Sequence, residues 1–90
     1  MVRRKDPVTH ETALAVFNRD QGCVAVELGE WASECEGRLT LDHVREAPMM
    51  GKRAPSDVRH LVALCWRHHL GGWATAHRPL LREYLERVNA

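Results

Sequence analysis

No apolar run in this 90-residue chain approaches the ~20 residues that a membrane-spanning helix requires. The N-terminus reads MVRRKDPV, with no apolar stretch behind its basic residues, so no signal peptide is expected. Cysteine is scarce and odd in number, three in all, which argues against a closed disulfide framework. Together these absences suggest a cytoplasmic protein in a reducing compartment, where clustered thiols more often hold a metal than pair with each other. Aromatic residues are few, three Trp, one Tyr and one Phe, so a large aromatic core is not expected. Internal repeats and low-complexity segments are also missing.

What remains fits one small domain, near the size at which a single apolar core is only marginally sufficient and a metal or disulfide staple is common. The net charge of +1 conceals an uneven distribution. Residues 20–37 carry Asp20, Glu27, Glu30, Glu34 and Glu36 and no base, whereas residues 38–69 carry Arg38, Arg45, Lys52, Arg53, Arg59 and Arg67 against Asp42, Glu46 and Asp57. A basic central segment is compatible with a phosphate-rich partner and equally with a solvated surface.

Residues 1–8 read as a flexible tail. Thr9 then precedes a helical pattern from about His10 to Arg19, which the DQG at 20–22 ends. CVAVEL, from Cys23, is a β-branched run and is expected to be a strand. GEWASECEG reads as a loop carrying Cys35. RLTLDHV alternates cleanly, with Leu39, Leu41 and His43 on one face and Thr40 and Asp42 on the other, as in a half-buried strand. The Pro- and Gly-containing stretch REAPMMGKRAPSD is a loop. Ser56 is placed to cap a turn through Asp57–His60, and a helix is expected from near Trp66 to about Thr75, weakened at Gly71 and Gly72. Pro79 opens a last helix over 79–89 whose stripe, Leu81, Tyr84 or Leu85 and Val88, is core.

The densest chemistry lies in LVALCWRHHL, where Cys65 and His68 form a C-x2-H knuckle. With Cys23 and Cys35 they make a Cys3His set, a recognised structural zinc chemistry, and one that leaves no open position on the ion. The competing reading makes Cys23 and Cys65 small buried hydrophobes and leaves Cys35 without a role. Any catalysis must then use other residues, and Asp42, His43, His60 and His69 remain.

The strand ending in Asp-His, the basic loop and the LxxLC-x2-[CH]-H block resemble the HNH endonucleases, the ββα-metal nucleases, most of all small phage-encoded members. The likeness runs from about Arg19 to Leu70 and is carried by RLTLDHV and HLVALCWRHH. It implies an α+β, treble-clef-like domain with a two-stranded hairpin, flanking helices and a structural zinc, the whole chain forming one domain with residues 19–70 as its core. It assigns His43 as general base and Asp42 with His69 as ligands of a catalytic divalent cation, Mg²⁺, Mn²⁺ or Ni²⁺. The family has Asn five residues before the knuckle cysteine; His60 stands there, as an orienting group or a further ligand. His77, eight residues beyond His69, is its rival for the cation. The implied reaction is hydrolysis of DNA phosphodiesters, with Arg45, Lys52, Arg53, Arg59 and Arg67 as candidate phosphate contacts. The chain has no separate DNA-reading domain, so a phage packaging or other specificity-conferring protein is a further partner to consider. The alternative is a non-catalytic, zinc-stabilised DNA-binding or adaptor module, favoured by His60 in place of Asn.

Overall fold

The computed structural model describes residues 8–44 and 55–89. Arg45, Lys52 and Arg53 lie outside these residues. Helix α1 spans His10–Asp20 and begins where the Thr9 hydroxyl accepts the N–H of Thr12 at 3.1 Å, satisfying one of the donors that a helix start leaves open. It stops at Gln21, whose left-handed backbone (φ 58°) turns its N–H back onto the Phe17 carbonyl at 2.9 Å.

The first departure from the sequence reading follows at once. CVAVEL is not a strand; Cys23 instead caps a single helical turn, α2, Val24–Glu27. Two consecutive residues of that turn, Val24 and Ala25, are fully buried, which a half-buried strand with alternating faces would not permit. β-Branched content is only a weak preference, and packing has overridden it here.

The hairpin is built instead from β1, Leu39–His43, and β2, Leu61–Cys65, antiparallel, with Leu39 opposite Cys65 and His43 opposite Leu61. All five residues of β2 are buried, as expected for an uninterrupted apolar strand covered on both faces. Val62 and Leu64 pack into one cluster with Val24, Val44, Ala74, Leu81, Tyr84 and Leu85, while Leu61 and Ala63 pack with Val16 of α1. β1 does not show the expected clean alternation: Thr40 and Leu41 are both half-buried, Leu41 against the Val16 cluster, and the one buried residue is the polar Asp42, whereas Leu39 and His43 are exposed. The cross-strand partners decide this, because Asp42 sits opposite Val62 and shares the face covered by the C-terminal helices.

The helix expected from Trp66 to Thr75 is two pieces, α3 (Trp66–Leu70) and α4 (Trp73–Ala76), separated at Gly71 and Gly72. Gly72 takes φ 101°, a conformation that L side chains rarely adopt, so the pair breaks the helix outright. Helix α5 spans Arg78–Val88, with Pro79 in its first turn and Leu81, Tyr84 and Leu85 buried. Among the described residues no helix is long and apolar enough to cross a membrane.

One buried carboxylate joins these layers. The Asp20 side chain is fully enclosed and accepts four hydrogen bonds, from Arg19 Nε (2.6 Å) and Nη2 (3.0 Å), the Ala63 N–H (2.9 Å) and the Tyr84 hydroxyl (2.6 Å). Arg19 also donates to the carbonyls of Val58 and Leu61, at 2.6 Å each. α1, β2 and α5 therefore meet at one ionic knot.

Candidate metal centre and the Asp42–His69 pair

Cys23 at the start of α2, Cys35 after the 3₁₀ turn Ala32–Glu34, Cys65 at the end of β2 and His68 in α3 converge. Their ligand atoms all lie within 4.8 Å of one another. The Nδ1 of His68 stands 3.6 Å from Cys23 Sγ, 3.7 Å from Cys35 Sγ and 3.1 Å from Cys65 Sγ. Tetrahedral bonds of ~2.3 Å to sulfur and ~2.0 Å to nitrogen would separate N and S by about 3.5 Å. A cation that takes three sulfurs and one nitrogen therefore fits this cluster.

The chain prepares the thiols for ionisation unequally. Burial alone would raise Cys65, but the backbone N–H groups of His68 and Glu36, with the side chains of Cys35 and His68, outweigh it and draw its thiol down to about 6. Cys35 is pushed up to about 12, first by burial and then by hydrogen bonding to Cys65 and Cys23 and by their charge. Three thiolates so close repel one another, and a dication is what lets all three ionise together. The Cys65 N–H also points at Cys23 Sγ, 3.3 Å away, and the His68 N–H at Cys65 Sγ, 3.4 Å away, so backbone donors steady the sulfurs.

The loop that brings Cys35 in passes directly over α3. A Cβ at Gly37 would lie 2.6 Å from Trp66 Cβ, and Gly37 has φ 78°. Gly37→Ala is therefore expected to cost about 1–3 kcal/mol through overpacking and strain, read as a lower midpoint in urea unfolding. An unchanged midpoint would mean that the loop is free to shift.

A second constellation lies on the other side of α3. His69 Nε2 faces Asp42 Oδ1 at 3.4 Å, and its Nδ1 is 2.7 Å from the Thr40 hydroxyl. That hydroxyl gives its one proton to the Leu64 carbonyl at 2.8 Å. It must therefore accept from His69, so in the neutral ring the proton is on Nδ1 and the lone pair is on Nε2. A lone pair and a carboxylate oxygen then look at each other at a distance longer than a good N–H···O bond. Adjacent octahedral ligands of one cation at ~2.1 Å each would stand about 3.0 Å apart, so the two atoms lie within a few tenths of an ångström of that spacing. The other Asp42 oxygen, Oδ2, accepts from Arg78 Nη1 at 2.6 Å.

The remaining candidates are distributed as follows. His43 is exposed on the opposite face of β1, 2.9 Å from the Ser56 hydroxyl. His60 is buried; its Nδ1 lies 2.6 Å from Asp57 Oδ1, and its carbonyl accepts the Val44 N–H at 2.7 Å, closing the hairpin where β2 begins. His77 stacks on Trp73 (centroids 4.4 Å apart, 17° between planes) with its Nδ1 2.8 Å from the Trp73 carbonyl. Of the two rivals, His69 is the one set against Asp42. Arg59 is exposed, and Arg67 is exposed but donates to the Glu34 carbonyl at 3.2 Å. Sequence reasoning missed Arg78 and Thr40. Thr40 could have been found two residues before Asp42 on the same strand face, whereas nothing in the spacing pointed to Arg78.

Comparison of the chain with protein-family models, with curated proteins and with solved structures gave no match.

Proposed function

We propose that the chain is a cation-dependent endonuclease of the HNH, ββα-metal kind, hydrolysing DNA phosphodiesters, with zinc in the Cys3His cluster as a clamp on the fold. The observation that carries the reading is the facing pair of Asp42 Oδ1 and His69 Nε2, 3.4 Å apart, with the ring tautomer held by Thr40. Zinc suits the clamp because three soft thiolates and an imidazole in a tetrahedral array match its preferences. Asp42 and His69 offer a harder site for Mg²⁺, Mn²⁺ or Ni²⁺, where a bound cation would offset charge on the phosphate and the leaving oxygen.

The opposite faces of β1 then acquire a purpose. Displacement at phosphorus is in line, so the attacking water and the leaving 3′ oxygen sit on opposite sides. A phosphodiester crossing the outer edge of β1 meets His43 from one face and the Asp42–His69 pair from the other. The His43 ring nitrogen that carries the lone pair takes the proton from water as the hydroxide oxygen bonds to phosphorus. The P–O3′ bond breaks and the departing 3′ oxygen takes a proton from a solvent water, leaving a 5′-phosphate and a 3′-hydroxyl. His60, tied to Asp57, acts as a positioning residue for the strand end that carries His43. Arg59 and Arg67, with Arg45, Lys52 and Arg53, supply charge for backbone contacts.

The test is plasmid cleavage by purified, zinc-loaded protein with Mg²⁺, Mn²⁺ or Ni²⁺. His43→Ala is expected to lower the rate by about 10²–10⁴-fold, the usual contribution of a general base, while plasmid binding is retained. Salt-dependent DNA binding without cleavage under any of the three cations would favour the non-catalytic DNA-binding module instead.

A further inference from the structure

Asp42 has two oxygens in two different roles. Oδ1 faces His69, and Oδ2 holds Arg78 Nη1 at 2.6 Å. Arg78 is the first residue of α5, outside the segment whose sequence resembles a nuclease, and it reaches across 36 positions to this carboxylate. The Arg78 side chain is 32% exposed while that of Asp42 is 7% exposed, so the guanidinium stands between the buried acid and solvent. Only Nη1 is used among the described residues, and a guanidinium carries further donors in a planar fork that matches a phosphate.

For simple capture of a dication this is a poor arrangement. Asp42 and Arg78 together are neutral, and neutral His69 adds nothing, so a divalent ion bound alone would sit beside an arginine with no net negative charge to offset it. A phosphodiester reverses the balance, because its oxygens can accept from the unused guanidinium N–H groups and neutralise the repulsion. We infer that Arg78 couples cation binding at Asp42 and His69 to binding of the phosphodiester, so that each ligand strengthens the other. The inference rests on the nuclease reading given above and adds to it the residue that makes the two ligands interdependent. Reciprocity is required, since any factor by which DNA raises cation affinity is also the factor by which the cation raises DNA affinity. The full site then assembles only on substrate, and Arg78 touches the phosphate next to the cation.

The experiment measures Mn²⁺ affinity by electron paramagnetic resonance on zinc-loaded His43→Ala protein, with and without a 12-base-pair DNA duplex. Mn²⁺ is a hard probe that does not compete for a thiolate cluster. With Arg78 present, the duplex is expected to tighten Mn²⁺ about tenfold, within the usual range of coupling between sites. With Arg78→Met added, Mn²⁺ should bind the free protein more tightly and the duplex should change its affinity hardly at all. Arg78→Lys, which keeps the charge without the fork, should keep part of the coupling and serves as the reading if the methionine variant does not fold. If both variants show the unaltered affinity and the same tightening by duplex, Arg78 is only a counter-ion for Asp42 and the inference is overturned. If Asp42→Ala leaves Mn²⁺ binding unchanged, the cation site itself is wrong and the nuclease reading fails with it.

Discussion

With Cys23, Cys35, Cys65 and His68 proposed as a zinc clamp, chelation of that cation is expected to unfold this protein. The four ligands come from α2, from the loop after the 3₁₀ turn, from the end of β2 and from α3. Between Gly29 and Gly37 no residue is buried, and besides Cys35 the loop is held by hydrogen bonds from Arg67 to the Glu34 and Glu36 carbonyls and by the close approach of Gly37 to Trp66. Without a cation the cluster loses its bond network, and its thiols can no longer all ionise, given Cys35 at about 12 beside Cys65 at about 6. A structural zinc contributes an apparent ~10–16 kcal/mol in small domains, against a total stability of about 5–15 kcal/mol for a protein of ordinary size. Removal is therefore expected to abolish the cooperative thermal transition, followed by circular dichroism after dialysis against a strong chelator. Cys65→Ser should do the same and should lower bound zinc well below one per chain, while His43→Ala keeps both. A chelated protein that melts as sharply and as high as the loaded one would show that the cluster is no clamp. Zinc binding should also weaken as pH falls, because protons compete for the same thiolates.

Asp20→Ala is expected to destabilise the fold strongly without abolishing it. The substitution leaves Arg19 without its carboxylate, the Ala63 N–H without an acceptor and the Tyr84 hydroxyl without a partner. Removing one member of a buried, hydrogen-bonded ion pair costs roughly 3–5 kcal/mol, because the other charge stays buried. That is a large share of the stability available to a small domain, and it should appear as a lower urea midpoint with an unchanged slope. A midpoint shift near zero would mean that water replaces the lost acceptor. Tyr84→Phe should cost less, about 1–2 kcal/mol, since it removes one hydrogen bond to a charge without stranding the arginine.

The same contact makes stability fall in alkali. Burial, and then the hydrogen bond to Asp20 and its negative charge, raise the Tyr84 phenol well above its ordinary value. A group whose folded value is raised contributes stability in full below the unfolded phenol's ~10 and loses it as pH rises through the folded value. Asp20→Ala should reduce that alkaline loss by the share due to the hydrogen bond and the charge, leaving the larger share due to burial.

The readable parts of the chain were those in which chemistry or periodicity is local. The Cys65 and His68 knuckle was visible because two ligands two residues apart on a strand-to-helix step can face one point, and Cys23 and Cys35 then completed a tetrahedral set. α1, β1 and α5 were visible from a Thr cap, a clean alternation and a Pro-led apolar stripe. CVAVEL was misread because β-branched residues suit a strand in general, and the choice of partner for β1 is not local. LVALC has both faces apolar and can be covered on both sides, so it takes the pairing and leaves Val24 and Ala25 to be buried as a helical turn. The Trp66–Thr75 helix broke because two glycines in succession permit a backbone step that one would merely weaken.

By itself the amino-acid sequence determined the ligand types, the strand that ends in Asp42 and His43, and the helices that begin at His10 and close at Val88. The tertiary structure alone decided that Asp42 is buried and shared between His69 and Arg78, and that Asp20 ties α1 to β2 and α5. The physical reason is distance along the chain. Hydrogen bonds that span 36 positions, as from Arg78 to Asp42, or 64, as from Tyr84 to Asp20, leave no periodic trace. They exist only once the hairpin and the helices have packed.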